Sequence, residues 1–263
     1  MAEPNLSIAI SILDDWRVHD CLASIDFPAE VLIFVDKRTD KKLIESLKKY
    51  NFRIVSMERF SFSKFYNLGI SESSKNKIFF MDSDCVFIKG ALSKLYNHSN
   101  SCSIAKARVR FDHNSWLSKI ISKAREFTTS DSPNLYIPGP IFDKEVFDKV
   151  GKFDENMHHT VDNYMSQKII REGLDWKYFN FDIILHAPLT IKEDLRSAFR
   201  YGLGRSKRYK LEKKNNPKFF REFLDRLIQG TERKGVTTGI YLSIWSLMLN
   251  LGFIRGKYLL KND

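Results

Sequence analysis

Asp82 and Asp84 stand one residue apart at the end of an apolar run, Lys77-Ile78-Phe79-Phe80-Met81-Asp82-Ser83-Asp84. In an extended chain, side chains at i and i+2 point to the same side. Two carboxylates can therefore face one point where a buried strand leaves its sheet. Such a pair suits a hard divalent cation that keeps open positions for phosphate oxygens. Asp36 ends an earlier apolar run, residues 31–35, and so occupies the same topological place. Ligands of open α/β sheets bind outside the carboxyl ends of the strands. Plain structural readings stand beside these: Asp-Ser-Asp as a polar turn, and Asp36 as a helix cap.

The elements that would position these groups alternate. Short β-branched or aromatic runs at 6–13, 31–35, 52–56 and 78–81 predict buried strands. Helices are expected between and after them, at 20–25, 41–50, 65–73 and 91–96, with Thr39 and Asp40 as caps for the second. This alternation predicts an α/β fold with a mostly parallel sheet and helices on both faces. The second half is less regular. A strand is expected at 103–111 and a helix at 116–127, followed by a turn-rich loop at 136–142 carrying Pro138, Gly139 and Pro140. Helices at 144–150 and 162–171 end at Gly151 and Gly173, and a last strand at 177–185 ends at His186.

Charge marks a change of character near Pro188. The 263 residues carry a net charge of +11, and residues 192–234 alone hold 14 Lys and Arg against 6 Asp and Glu. A concentrated cationic stretch implies an anionic partner: phospholipid, phosphate-bearing substrate or nucleic acid. The expected division is thus 1–188 for the α/β domain and 189–263 for a basic helical C-terminal region. Within the latter, 240–254 is apolar apart from Ser243, Ser246 and Asn250. As a helix it would span about 22 Å against about 30 Å of hydrocarbon, and it is both too short and too polar to read as a transmembrane segment. It reads either as a helix packed on its own domain or as an interfacial membrane helix, with Trp245, Phe253 and Tyr258 as aromatic anchors. Three cysteines without metal-finger spacing argue against a disulfide framework. With no basic leader at the N-terminus, a cytoplasmic setting is expected, peripheral to the inner face of the cell membrane.

The order of motifs resembles glycosyltransferase family 2, the inverting nucleotide-sugar enzymes of the GT-A fold. Val35-Asp36-Lys37-Arg38-Thr39-Asp40 is similar to the carboxylate that closes the family's second strand. Lys64-Phe65-Tyr66-Asn67-Leu68-Gly69-Ile70 resembles its basic residue followed by Asn-x-Gly-Ile. The Asp-x-Asp follows at 82–84, and Val150-Gly151-Lys152-Phe153-Asp154-Glu155 resembles a later family signature. The family's Glu-Asp pair at a helix start corresponds to Val161-Asp162, with Val in place of Glu. His186 and Arg200-Tyr201-Gly202-Leu203-Gly204-Arg205 are similar to a strand-terminal His and the basic helix after it. The resemblance covers residues 6–186.

The resemblance implies a metal-dependent hexosyltransferase that moves a sugar from a nucleotide diphosphate to an acceptor hydroxyl, with inversion. Asp36, Lys64, Asn67, Asp82 and Ser83 would contact the nucleotide sugar. Asp82, Asp84 and His186 would hold Mn²⁺ or Mg²⁺, and Asp162 would be the general base. Gly139, Asp154, His158 and His159 would border an acceptor such as a lipid-linked or cell-surface glycan. By chemistry alone, His186 reads equally as a structural residue, and Lys64, His158 and His159 as solvated surface. Two rivals stand beside this reading. A nucleotidyltransferase would carry a Gly-rich loop after the first strand, where Leu13-Asp14-Asp15-Trp16-Arg17 has no glycine. A nucleic-acid binder would use the basic stretch, which lacks a recognisable nucleic-acid motif.

Overall fold

The computed structural model describes residues 4–131, 134–157 and 159–260. The first half runs β1 (Leu6–Ile12), α1 (Val18–Ala23), β2 (Glu30–Asp36), α2 (Lys41–Leu47), β3 (Arg53–Met57), α3 (Phe62–Glu72), β4 (Lys77–Asp82), β5 (Cys85–Phe87) and α4 (Ala91–Ser99). Then follow β6 (Ile104–Phe111), α5 (Trp116–Thr129), β7 (Pro140–Asp143), α6 (Glu145–Val150), α7 (Val161–Arg171) and β8 (Trp176–His186). Three helices close the chain: α8 (Ile191–Leu211), α9 (Phe219–Lys234) and α10 (Val236–Leu259). The chain divides into two compact units. The first holds Met1–Arg110, Pro133–Glu155 and Met165–His186; the second holds Phe111–Ser132, Asn156–Tyr164 and Ala187–Asp263.

The first unit is built on one eight-stranded sheet, ordered β3-β2-β1-β4-β7-β6-β8-β5. Every residue of β1 is buried, as a central parallel strand covered on both faces requires. Its neighbours β2 and β4 pair with it in parallel, and β3 pairs in parallel with β2. The other half adds antiparallel pairs, β4 with β7, β6 with β7 and β5 with β8. The sheet is thus mixed, and the stretch expected to be a turn-rich loop contains a strand. Pro140 opens β7, where a residue lacking an N–H is tolerated.

Aromatic rings supply much of this unit's core. Phe65 meets Phe34 at 5.3 Å and Phe80 at 5.7 Å, and Tyr66 meets Phe80 at 4.9 Å and Phe153 at 4.7 Å between ring centroids. Full burial of such a side chain contributes about 1.5–3 kcal/mol. Gly69 lets α3 lie close to the sheet, since a Cβ there would come within 2.7 Å of the Phe80 ring.

The second unit is helical. Ile121 and Ala124 of α5, Ala198 of α8, and Tyr241, Leu242, Trp245 and Leu249 of α10 form its core. Glycines bring the helix backbones into contact. A Cβ on Gly202 would lie 2.0 Å from the Leu249 carbonyl oxygen, and one on Gly252 would lie 2.0 Å from that of Phe199. Gly252 and Gly256 form a small-xxx-small pair against α8, a device that permits close helix approach. The Tyr201-Gly202-Leu203-Gly204 motif gains a physical cause here. Gly202 admits α10, and Gly204 admits the main chain of His159, whose carbonyl oxygen would sit 2.4 Å from an added Cβ.

Two expectations about the last helix are corrected. α10 has 24 residues, about 36 Å long and long enough to cross a bilayer, because the helix continues beyond its most apolar stretch. Trp245 and Phe253 are buried within the unit and are not available as membrane anchors; of the three aromatics, only Tyr258 is exposed.

Candidate active site

The parallel register brings the carboxyl ends of three strands side by side. Ser11 of β1 is level with Asp82 at the end of β4, and Ile12 with Val35 of β2. Just beyond β4 the chain turns into β5, whose Cys85 is paired across the antiparallel ladder with His186 of β8. That pairing sets His186 beside Asp84, with Nε2 3.6 Å from Oδ2. Ligand atoms of Asp84, Cys85 and His186 lie within 4.8 Å of one another. Cys85 is fully buried, and burial, reinforced by the charges of Asp84 and Asp82, pushes its thiol far above the usual range. A neutral thiol is a poor ligand for a hard cation. The carboxylate of Asp84 and the imidazole of His186 are the donors that fit a divalent ion, with other positions open to phosphate oxygens.

A cation of the protein's own already borders this group. Arg17, in the turn after β1, places Nη2 2.8 Å from Asp15 Oδ2 and 3.7 Å from Asp84 Oδ2. Ser83 donates from Oγ to the same Asp15 oxygen at 3.2 Å. Burial tends to raise the Asp15 carboxyl, but hydrogen bonds and charge from Arg17 outweigh it and lower its pKa. The charge of Asp82 helps to raise both Cys21 and Cys85, and its carbonyl accepts from the Cys21 thiol at 3.8 Å.

Asp36 is fully buried and its carboxylate is engaged by the chain itself. Oδ1 accepts from the backbone N–H of Arg38 at 2.8 Å and from Nε at 2.7 Å. Oδ2 accepts from Arg38 Nη2 at 2.6 Å and from the Phe60 N–H at 2.6 Å. The Arg38 guanidinium, with the two backbone donors, holds this carboxyl well below the usual range despite burial. The exposed group here is Arg38.

Asn67 is likewise committed internally. Its Nδ2 donates to the Phe153 carbonyl at 3.0 Å and to Glu155 Oε1 at 3.1 Å, while its Oδ1 accepts from the Phe153 N–H at 2.9 Å. Two of the motifs read from the sequence, around Asn67 and around Phe153, are therefore halves of one clamp. Lys64 is exposed on the first turn of α3, capped by Ser61. Gly139 has φ +136° and its carbonyl accepts from the Ala107 N–H, next to β6. Asp154 is partly buried. His158 lies outside the described residues.

In the helical unit, Asp162 is partly buried on the first turn of α7, and its Oδ1 accepts from the Asn163 N–H at 2.8 Å. Val161, in the place of the family's Glu, is buried. Arg125 pairs through Nε with Asp194, which also accepts from the Tyr241 hydroxyl at 2.5 Å. Arg125 lies 5.5 Å from the ring centroid of Tyr201 and 5.7 Å from that of Trp245. Burial raises the Tyr201 phenol; the Arg125 charge opposes this, while Asp162 and Asp194 add to it.

Asp84 and His186, predicted from the sequence as metal ligands, are thus brought together. Asp15, Arg17 and Arg38 were missed. The rule that selected Asp36 points to them too, because they follow the carboxyl ends of β1 and β2.

Comparison with known proteins identifies the family and the fold. The family model for "Glycosyl transferase family 2" matches residues 17–179. Among curated proteins none matches. A crystal structure of S. aureus TarS aligns with a TM-score of 0.55 at 12% identity, covering 87% of this chain and 43% of that one. A structure of S. aureus TarS 1–349 in complex with UDP aligns with a TM-score of 0.53 at 12% identity, covering 98% of this chain and 91% of that one. This chain thus spans less than half of the longer TarS chain. At such identity the likeness speaks for the fold, which is of the GT-A type. By the match across residues 17–179, this chain belongs to glycosyl transferase family 2, a family of nucleotide-sugar transferases.

Proposed function

We propose that the chain is an inverting, metal-dependent glycosyltransferase that moves a hexose from a nucleoside diphosphate to a hydroxyl of a lipid-linked or cell-surface glycan, at the cytoplasmic face of a membrane. The observation that carries this reading is the approach of His186 to Asp84 at the carboxyl edge of the sheet. The UDP complex of TarS 1–349 supports a nucleoside diphosphate as the donor's leaving part. No observation favours the nucleotidyltransferase or the nucleic-acid binder.

In this reading Asp84 and His186, together with Asp82, would hold Mn²⁺ or Mg²⁺. The ion, when bound, supplies Lewis-acid stabilisation of the leaving diphosphate. Arg17 and Lys64 neutralise the phosphate charge that remains. Asp36 acts on the nucleotide through the guanidinium it fixes, that of Arg38. Ser83 sets the turn that joins Asp15 to the metal ligands, and Asn67 sets the Phe153–Glu155 turn. Asp162 accepts the proton of the acceptor hydroxyl as that oxygen attacks the anomeric carbon from the face opposite the leaving group. Gly139, Asp154, His158 and His159 are assigned to the acceptor side.

A thermal-shift series with UDP, GDP and their sugars, with and without Mn²⁺, tests the assignment. A ligand that binds only the native state at 100 times its Kd stabilises by about 2.7 kcal/mol. The nucleotide should raise Tm in the presence of Mn²⁺, and Asp84→Ala should abolish the metal-dependent part. A nucleotide shift indifferent to both metal and Asp84 would overturn the metal assignment.

A further inference from the structure

The last helix has two apolar faces, and among the described residues only one of them is packed against the rest of the protein. Its inner face packs on α8 and α9 through Gly239, Gly252 and Gly256, and buries the polar residues Ser243, Ser246 and Asn250. Its outer face carries Ile240, Ile244, Leu247, Leu251, Ile254 and Tyr258, which are 44% to 59% exposed. Their spacing of four, three, four, three and four residues keeps them in one stripe along the helix axis. An unbroken exposed stripe of this kind marks a contact surface.

Charge decides what covers it. From Val236 to Leu259 the helix contains no Asp or Glu, and its two charged residues, Arg255 and Lys257, are exposed beside the stripe. In a helix pair with a second copy, the charges flanking such a seam are matched acid to base. Here α10 offers Arg255 and Lys257 no acidic partner on another α10. The cationic excess of residues 192–234, in the preceding helices, has the same sign. Apolar residues on one face with Lys and Arg beside them suit an anionic lipid surface. Spanning the bilayer would strip α10 of its glycine contacts and leave Ser243, Ser246 and Asn250 in hydrocarbon without the helices that now cover them.

We propose that the outer face of α10 rests on the surface of an anionic bilayer, with the helix lying in the membrane plane. This deepens the membrane-peripheral part of the function proposed above, and rests on it only for the nature of the acceptor.

The test uses the full chain and vesicles of phosphatidylglycerol and phosphatidylcholine. The wild type should float with these vesicles and release as salt is raised. The double variant Leu247→Glu, Leu251→Glu should lose about tenfold or more of its vesicle affinity. Arg255→Glu with Lys257→Glu should lose binding to anionic vesicles while circular dichroism shows the native helix content. Both variants should keep the nucleotide-dependent thermal shift, so loss of flotation and loss of donor binding report separately. A wild type that does not float, or a stripe variant that floats as well as wild type, would overturn the proposal. So would light scattering that finds a dimer which Leu247→Glu, Leu251→Glu dissociates.

Discussion

The sheet unit and the helical unit each gather an arginine, carboxylates and further polar groups, and they hold them in opposite ways. Around Asp84 the contacts are loose: the Cys85 thiol donates to Oδ1 at 3.7 Å, while Arg17 at 3.7 Å and His186 at 3.6 Å stand beyond hydrogen-bond range, with side chains that water reaches. Around Asp194 they are closed in. That carboxylate is fully buried, paired with Arg125 and bonded to the Tyr241 hydroxyl at 2.5 Å. Similar residue types make a receptive edge in one place and a finished core network in the other. Burial and distance, not composition, separate a site from a strut.

Substitutions can break this contrast or sharpen it. The largest expected effect is on turnover. Asp162→Asn should bind donor nearly normally and lose a factor of ~10²–10⁴ in kcat, the range of general-base assistance. Unchanged kcat in steady-state assays would remove Asp162 from the chemistry. Next in size is a loss of stability in the helical unit. Asp194→Ala leaves the Arg125 guanidinium buried without its counter-ion and should cost about 3–5 kcal/mol in urea unfolding. Asp84→Ala should cost far less in the same measurement; equal costs would erase the distinction between the two clusters.

The third effect depends on pH. The folded pKa of Asp36 is depressed, so its contribution to stability is complete above the unfolded carboxylate value and is lost as pH falls towards the folded one. Stability measured from about pH 5 downward should therefore fall less steeply in Asp36→Asn than in wild type, from a lower starting value. Parallel slopes would mean that another carboxylate controls acid unfolding. The smallest effect concerns Arg17. An exposed ion pair is worth about 0.2–1 kcal/mol, so Arg17→Gln should change stability little. With the guanidinium gone from beside Asp84, Mn²⁺ alone should bind up to about fivefold tighter by calorimetry. Weaker binding would show that Arg17 supports the metal ligands instead of competing with the ion.

Much of the sheet was legible because β1, β2 and β4 are apolar runs that only a doubly covered parallel strand explains. β7 was hidden by Pro138, Gly139 and Pro140, whose local preference for turns was overridden by pairing with β4 and β6. β5 was hidden by its length of three residues. The link between β5 and β8 is what delivers His186 to Asp84, and a lone histidine carries no local signal of that contact. The place of Arg17 beside Asp84 carries no local signal in the sequence, because it depends on tertiary contact. The capping box formed by Thr190 and Glu193 was a readable start signal for α8. The assignment of α5 to the helical unit had no local signal, because it depends on tertiary contact with α10.

The glycines between α8 and α10 reach further than their own contact. With the Phe199 carbonyl where a Gly252 methyl group would be, α10 cannot turn about its long axis or slide along its neighbour without collision. The hidden side of the rod thereby indexes the visible one: which six residues look outward is settled by hydrogens that never meet the solvent.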